Sequence, residues 1–131
     1  MMSNVPSDLR YTKDHEWART KGDTIVVGIT AFAVEQLGDV TLVDLPAVGT
    51  TLEKGKTFGV VESVKSVSDL YAPVSGTVVA VNADLANKPE LVNDAPYEKG
   101  WMIEIRVSSA ADLADLLDAA AYDKHVAESA H

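Results

Sequence analysis

Residues 101–107, WMIEIRV, constrain the fold of this chain more than any other stretch. Trp101, Ile103, Ile105 and Val107 alternate with Met102, Glu104 and Arg106. Period-two alternation places one set in a core and the other toward water, as in a half-buried β-strand. Shorter runs of the same character precede it. Residues 14–29, DHEWARTKGDTIVVGI, have strand-like halves flanking Lys21-Gly22-Asp23 and predict a hairpin with Gly22 in its turn. DVTLVDLP predicts a strand that Pro46 ends. Strands are expected over about 58–63 and 67–71, with a turn near Lys65, and again at VVAVN.

Helical signals fall between and after these strands. In TAFAVEQLG, Thr30 can cap a short helix and Gly38 can stop it, with Phe32 or Ala33, Val34 and Leu37 facing inward. Residues 47–57 read as loop, and 83–100 as a long loop with one helical turn near Pro89 to Val92. Ser109 and Asp112 resemble a short capping box. They would open a C-terminal helix with Leu113, Leu116, Leu117 and Ala120 on its apolar face, extended by Tyr122 and Val126. The expected product is one mostly-β domain with appended α structure. It would span residues 1–131, with 1–10 as an N-terminal extension and 109–128 as a C-terminal helical segment.

The charge balance narrows the partners. A formal net charge of −9 repels phosphate backbones, so nucleic acid is not an expected partner. No apolar run is long enough to cross a bilayer, and the N-terminal residues have no signal- or transit-peptide character. A cytoplasmic protein is expected, or a mitochondrial matrix protein if a transit peptide has been removed. The chain has no cysteine, which excludes disulfides, thiolate metal sites and a cysteine nucleophile. Its three histidines, His15, His125 and His131, lack metal-ligand spacing, so no metal site is expected. P-loop, dinucleotide, HExxH and nucleophile-elbow patterns are also missing, and nothing points positively to an enzyme.

One residue stands out within GVVESVKSVSDLYAPVSG, residues 59–76. Lys65 interrupts a Val-rich hairpin where the chain turns back. Ser63, Ser66 and Ser68 flank it, with Glu62 and Asp69 near. A hydrated ammonium among anions is a poor nucleophile. A stiff hairpin does, however, present it to a modifying enzyme at low entropic cost. The residues by themselves leave two readings open, a solubilising surface lysine and an attachment point.

ESVKSVSDLYAPVSGTVVAVN resembles the lipoyl-attachment hairpin of the glycine cleavage H-protein family. YTKDHEW, VGITAFAVEQLGDVTLVDLP, LVNDAPYEKGWMIEI and LLDAAAY follow the same family pattern in order, giving five blocks over residues 11–122. The resemblance implies a flattened barrel-sandwich hybrid of the lipoyl/biotinyl type, with lipoate in amide linkage on Lys65. It implies a non-catalytic shuttle, a monomer, serving a pyridoxal-phosphate glycine decarboxylase, an aminomethyltransferase and a flavin-dependent dihydrolipoyl dehydrogenase. The shuttle would be loaded with lipoate by a lipoate ligase or an octanoyltransferase. Glu16, in the YTKDHEW block, would contact the loaded arm, and Glu62 and Asp69 would serve recognition by the lipoylating enzyme.

Two positions depart from the family pattern. Ala31 stands where Asp is frequent, and Phe32 where His can occur, so Phe32 is expected to be an apolar wall or core residue. The alternatives are a lipoyl relay protein and a lipoyl module of a 2-oxoacid dehydrogenase complex. The latter usually comes with linkers and an acyltransferase domain. A biotin carrier typically has Met beside its lysine, whereas Val64 and Ser66 flank Lys65 here.

Overall fold

The computed structural model describes residues 6–129. Residues 1–5 of the expected N-terminal extension, and residues 130–131 with His131, lie outside the described residues. Among the described residues, nine strands form two antiparallel sheets. The larger has the order β1 (Arg10–Tyr11), β2 (Glu16–Lys21), β3 (Thr24–Ile29), β9 (Ile103–Val107), β8 (Gly76–Val81), β5 (Thr51–Leu52). The smaller contains β4 (Val40–Asp44), β6 (Thr57–Ser63) and β7 (Val67–Tyr71), with β6 in the centre. Their facing sides close on one apolar core, in which Ile25, Val27, Val78, Ile103 and Ile105 meet Phe58, Val61 and Leu70. This is the mostly-β, barrel-sandwich architecture expected from the sequence.

The predicted hairpins form as expected. Lys21 pairs with Thr24 across a two-residue turn in which Gly22 has φ +63°. Helix α1 (Ala31–Leu37) begins at Thr30, whose Oγ1 accepts from the Ala33 N–H. It ends at Gly38, with φ +78°. Val34 and Leu37 are its buried residues, while Phe32 and Ala33 are half-buried. Residues 83–100 contain more helix than the sequence suggested: a 3₁₀ turn at Ala83–Ala86 and helix α2 (Leu91–Asp94), the latter displaced from the Pro89–Val92 position.

Four expectations need correction. Residues 47–57, expected to be loop, contain the two-residue strand β5, which pairs with β8. The alternation in WMIEIRV predicts an outward Met102, yet it is fully buried, and Trp101 is half-buried and precedes β9. The cause is the segment that folds over that end of the sheet. Leu85 and Val92 of that segment share the core with Met102, and the Asn82 side-chain amide donates to the carbonyls of Lys99 and Trp101. Next, the C-terminal segment is two helices, α3 (Ala110–Ala114) and α4 (Ala119–Ser129). Leu117 between them leaves helical geometry to exchange two backbone hydrogen bonds with Tyr11, at 2.8 and 2.7 Å. Ala120 is consequently exposed. Finally, Ser109 makes no side-chain cap, and the Asp112 carboxylate instead accepts from the Ser75 N–H.

The first half of strand β2, Glu16–Ala18, is covered on both sides. Ala18 enters the main core, while Trp17 joins Leu9, Tyr11 and Tyr122 in a second cluster beneath α4. The Tyr11 and Tyr122 rings stack with centroids 4.6 Å apart. Glu16, two residues before Ala18, therefore shares the inward face of β2, at the end where the two sheets open. Among the described residues no helix is long and apolar enough to cross a membrane.

Candidate functional site

The hairpin of β6 and β7 carries Lys65 at its tip. Val64, Lys65, Ser66 and Val67 are all exposed, with Val64 at 68% and Val67 at 66%. Ser63 organises the turn: its N–H donates to the Ser66 carbonyl at 2.8 Å, and its hydroxyl accepts from the Ser66 N–H at 3.1 Å. Outside the hairpin, the Val64 N–H donates to the Asp39 carbonyl at 3.0 Å. The Lys65 stem lies over the end of α1, where its Cε is 3.5 Å from the place a Cβ would take on Gly38.

Beside the tip is a cleft of about 500 Å3 between α1 and β7. Phe32, Ala33 and Leu37 wall it from the helix; Ser66, Ser68 and Leu70 wall it from the hairpin. Glu16 closes its inner end and is 2% exposed. Its Oε1 accepts from the Thr12 hydroxyl at 2.5 Å and its Oε2 from the Tyr71 N–H at 3.3 Å. Burial pushes the Glu16 carboxyl up to about 7, against the two hydrogen bonds, which favour the charged form, and with help from nearby Asp14. Glu16 also borders a smaller hollow of about 190 Å3 on its far side, near Lys54 and Asp115.

His15 forms a further wall of the larger cleft. Its φ of +72° lies in the left-handed region, an uncommon and costly conformation for a residue with a side chain. It is held there by tertiary contacts. Its Nδ1 is 2.8 Å from the Tyr122 hydroxyl, which is in turn 2.7 Å from the Thr30 Oγ1, and its carbonyl accepts from the Thr30 N–H at 2.9 Å. Its ring centroid is 4.7 Å from that of Phe32 and 5.5 Å from that of His125. Burial lowers the affinity of His15 for a proton, neighbouring His125 lowers it further, and Asp14 opposes both.

The structure thus brings together Glu16, Phe32 and Asp69 on the cleft, while Lys65 is not among the lining residues and lies beside Gly38 at the end of α1. Glu16, the first residue of β2, is buried. Phe32 is a half-buried wall residue. Asp69 is exposed at the cleft, whereas Glu62, half-buried and paired with Val67, is not among the cleft residues. His15 and Ser68 also line the cleft, and nothing local in the sequence marks either for that place. His15 has a signal only in its backbone angle, which no local pattern predicts. Among the described residues, no three His, Asp or Glu side chains cluster so as to hold a metal ion.

Two sheets closed on one core, with a lysine on an exposed hairpin tip beside a half-apolar cleft, have the form of a lipoyl/biotinyl-type carrier domain. Comparison with known proteins narrows the class. Residues 9–129 match the family described as Glycine cleavage H-protein. The glycine cleavage system H protein of Anaeromyxobacter sp. (strain K) is 59% identical over 124 residues, covering 95% of this chain and 97% of that protein. That of Symbiobacterium thermophilum is 56% identical over 127 residues, covering 97% and 99%. The crystal structure of a glycine cleavage system H protein from Mycobacterium marinum superposes with a TM-score of 0.84 at 38% identity, covering 97% of this chain and 100% of that one. The chain belongs to the glycine cleavage H-protein family.

Proposed function

We propose that Lys65 is the residue that carries lipoate, in amide linkage, and that the Glu16 cleft shelters the arm's cargo. The chain is a lipoyl carrier of the glycine cleavage system, a non-catalytic component and not an enzyme. It takes the aminomethyl group of glycine from a pyridoxal-phosphate glycine decarboxylase to an aminomethyltransferase, and electrons to a flavin-dependent dihydrolipoyl dehydrogenase. A lipoate ligase or an octanoyltransferase modifies it. It acts as a monomer in the cytoplasm.

The observation that carries the reading is the path of the Lys65 stem. The residue is exposed at the tip, and its Cε rests beside Gly38, which directly follows the Leu37 wall of the cleft. A long apolar chain with a polar end fits such a surface: methylenes against Phe32, Ala33 and Leu37, and the polar end toward Glu16, Ser68 and Asp69. Bound lipoate would supply the disulfide–dithiol chemistry that a chain without cysteine cannot. With no thiol of its own, the protein also has nothing to trap that dithiol as a mixed disulfide.

The chain's own residues have three tasks in this scheme. Lys65, once acylated, loses its charge, so the formal net charge moves from −9 to −10. The hairpin then holds the tether at an effective concentration of ~mM at each partner's site. Glu16, when ionised, gives a cationic cargo a carboxylate partner in a partly desolvated place. Glu62 and Asp69, on the same hairpin as the lysine, offer the lipoylating enzyme an acidic signature around an apolar tip.

Intact-mass measurement after co-expression with a lipoate ligase tests the assignment. One lipoyl adduct is expected, lost in Lys65→Arg; an adduct that survives that substitution refutes it. Glycine-dependent bicarbonate exchange by the decarboxylase then separates this carrier from one serving 2-oxoacid dehydrogenases.

A further inference from the structure

Asn93 lies on α2, far in sequence from the hairpin, yet both ends of its side-chain amide are committed to the turn beneath the Lys65 stem. Its Oδ1 accepts from the Val40 N–H at 2.8 Å, and its Nδ2 donates to the Gly38 carbonyl at 2.8 Å. These two bonds bracket Asp39, whose carbonyl accepts the Val64 N–H at 3.0 Å. Among the described residues, that is the only hydrogen bond by which residues 64–66 reach outside the hairpin; the others run within Ser63–Ser66.

We infer that Asn93 is a positioning residue for the lysine arm: by clamping Gly38–Val40 it fixes the ledge from which Asp39 holds the hairpin tip. The inference rests on the reading of Lys65 as the attachment residue. The clamp has something to restrain. Gly38 has φ +78° and ψ −153°, a region open in practice only to glycine, so the turn has little local preference for this shape. Without the amide, the Gly38 carbonyl and the Val40 N–H lose their side-chain partner. Asn93 itself sits on a firm base. Its N–H donates to the Glu90 carbonyl at 3.0 Å, the adjoining Val92 is fully buried, and Gly100 packs directly on the backbone of Leu91 and Val92. The restraint therefore runs from a packed segment, through one side chain, to the exposed tip. Its consequence is directional. Gly38, against which the Lys65 Cε rests, directly follows Leu37 of the cleft wall, so a tip held on Asp39 keeps the Lys65 stem beside that wall.

Amide hydrogen exchange on the lipoylated full chain, compared with Asn93→Ala and Asn93→Asp, tests this. Asn93→Asp keeps an acceptor for Val40 but sets a carboxylate against the Gly38 carbonyl. In both variants the Val64 amide is expected to exchange about tenfold faster, as for loss of one locally protecting bond. The Ile103 and Ile105 amides in the core should be unchanged. Lipoylation of Lys65 should proceed at the wild-type rate, because the tip sequence is intact, while the cargo-loaded arm decays severalfold faster. Three results would overturn the inference: unchanged Val64 exchange, a rise shared equally by Ile103 and Ile105, or faster Val64 exchange with no change in the decay of the loaded arm. Val64 exchange reads equally on unmodified protein. A wild-type chain that bears no adduct at Lys65 would therefore remove the attachment reading by a separate measurement.

Discussion

The Glu16 carboxylate and the Tyr71 backbone meet across the mouth of the two sheets, with Oε2 accepting the Tyr71 N–H at 3.3 Å. Glu16 belongs to β2 and Tyr71 to β7, so an ionisable group ties the large sheet to the edge of the small one where the cleft begins. The same group is nearly inaccessible and holds its proton more tightly than an ordinary carboxyl. Fold stability and the chemistry of the cleft are thereby both coupled to the Glu16 titration.

That coupling sets a pH dependence. The Glu16 carboxyl titrates near 4.5 in an unfolded chain and near 7 in the fold. Between these values the folded protein keeps a proton that the unfolded chain has lost. The Glu16 contribution to stability therefore falls as pH rises from about 4.5 to about 7, by about 3 kcal/mol in all, and is flat above that. His15 acts in the opposite sense: its proton affinity is lowered, so its contribution falls as pH drops below 6.5. Glu16→Gln should gain stability relative to wild type between pH 5 and pH 8, measured by urea unfolding. A constant difference across that range would remove Glu16 as the titrating group.

Gly28 is expected to tolerate no side chain. A Cβ there would lie 2.7 Å from the Trp17 ring, and that ring is fixed because its Nε1–H donates to the Pro96 carbonyl at 2.9 Å. Gly28→Ala should cost about 1–3 kcal/mol by overpacking, seen as a lowered Tm. Lys65 is on the other sheet, so lipoylation of the folded fraction should be unchanged.

The parts of the fold legible in the sequence were those specified locally. Thr30 and Gly38 bracket α1 because a cap hydroxyl and a left-handed stop act within one turn of helix. The hairpin around Lys65 was legible because alternation and a serine-rich turn are short-range signals. The environment of Glu16 was not, because its burial depends on Tyr71, 55 residues away, and on the inward face of β2 being lined up with Ala18. The break between α3 and α4 was hidden for a similar reason. Leu117 fits the apolar helical spacing, but its backbone pairs with Tyr11, and a tertiary contact overrides the periodicity.

Tyr122 should prove to be the bolt that fastens α4 to the cleft wall. Its hydroxyl lies 2.8 Å from the His15 Nδ1 and 2.7 Å from the Thr30 Oγ1, in a fully buried position. Tyr122→Phe keeps the ring stacked on Tyr11 but leaves His15 without that partner, at a cost of about 1–3 kcal/mol. Thr30 still caps α1 through Ala33, so helix content by circular dichroism should be retained while Tm falls.

Glu16 should also govern how long the loaded arm keeps its cargo. The cargo is an amine that is cationic when protonated, and only the ionised carboxylate offers it a charged partner. Glu16→Gln preserves size and an acceptor for Tyr71 while removing the charge, and Glu16→Ala removes both. At pH 8 the carboxylate is ionised, so the loaded arm of either variant should decay about tenfold faster than wild type, the effect of one charge-assisted hydrogen bond. At pH 5 the wild-type group is protonated, so Glu16→Gln and wild type should decay alike. Comparing the two proteins at each pH cancels the pH dependence of the solvolysis itself. The cation favours the ionised form, so the wild-type protein should show its crossover at or somewhat below 7. Lipoylation of Lys65, read by intact mass, should be the same in all three proteins. Equal decay at pH 8 would leave Glu16 a structural tie between the sheets with no hold on the cargo.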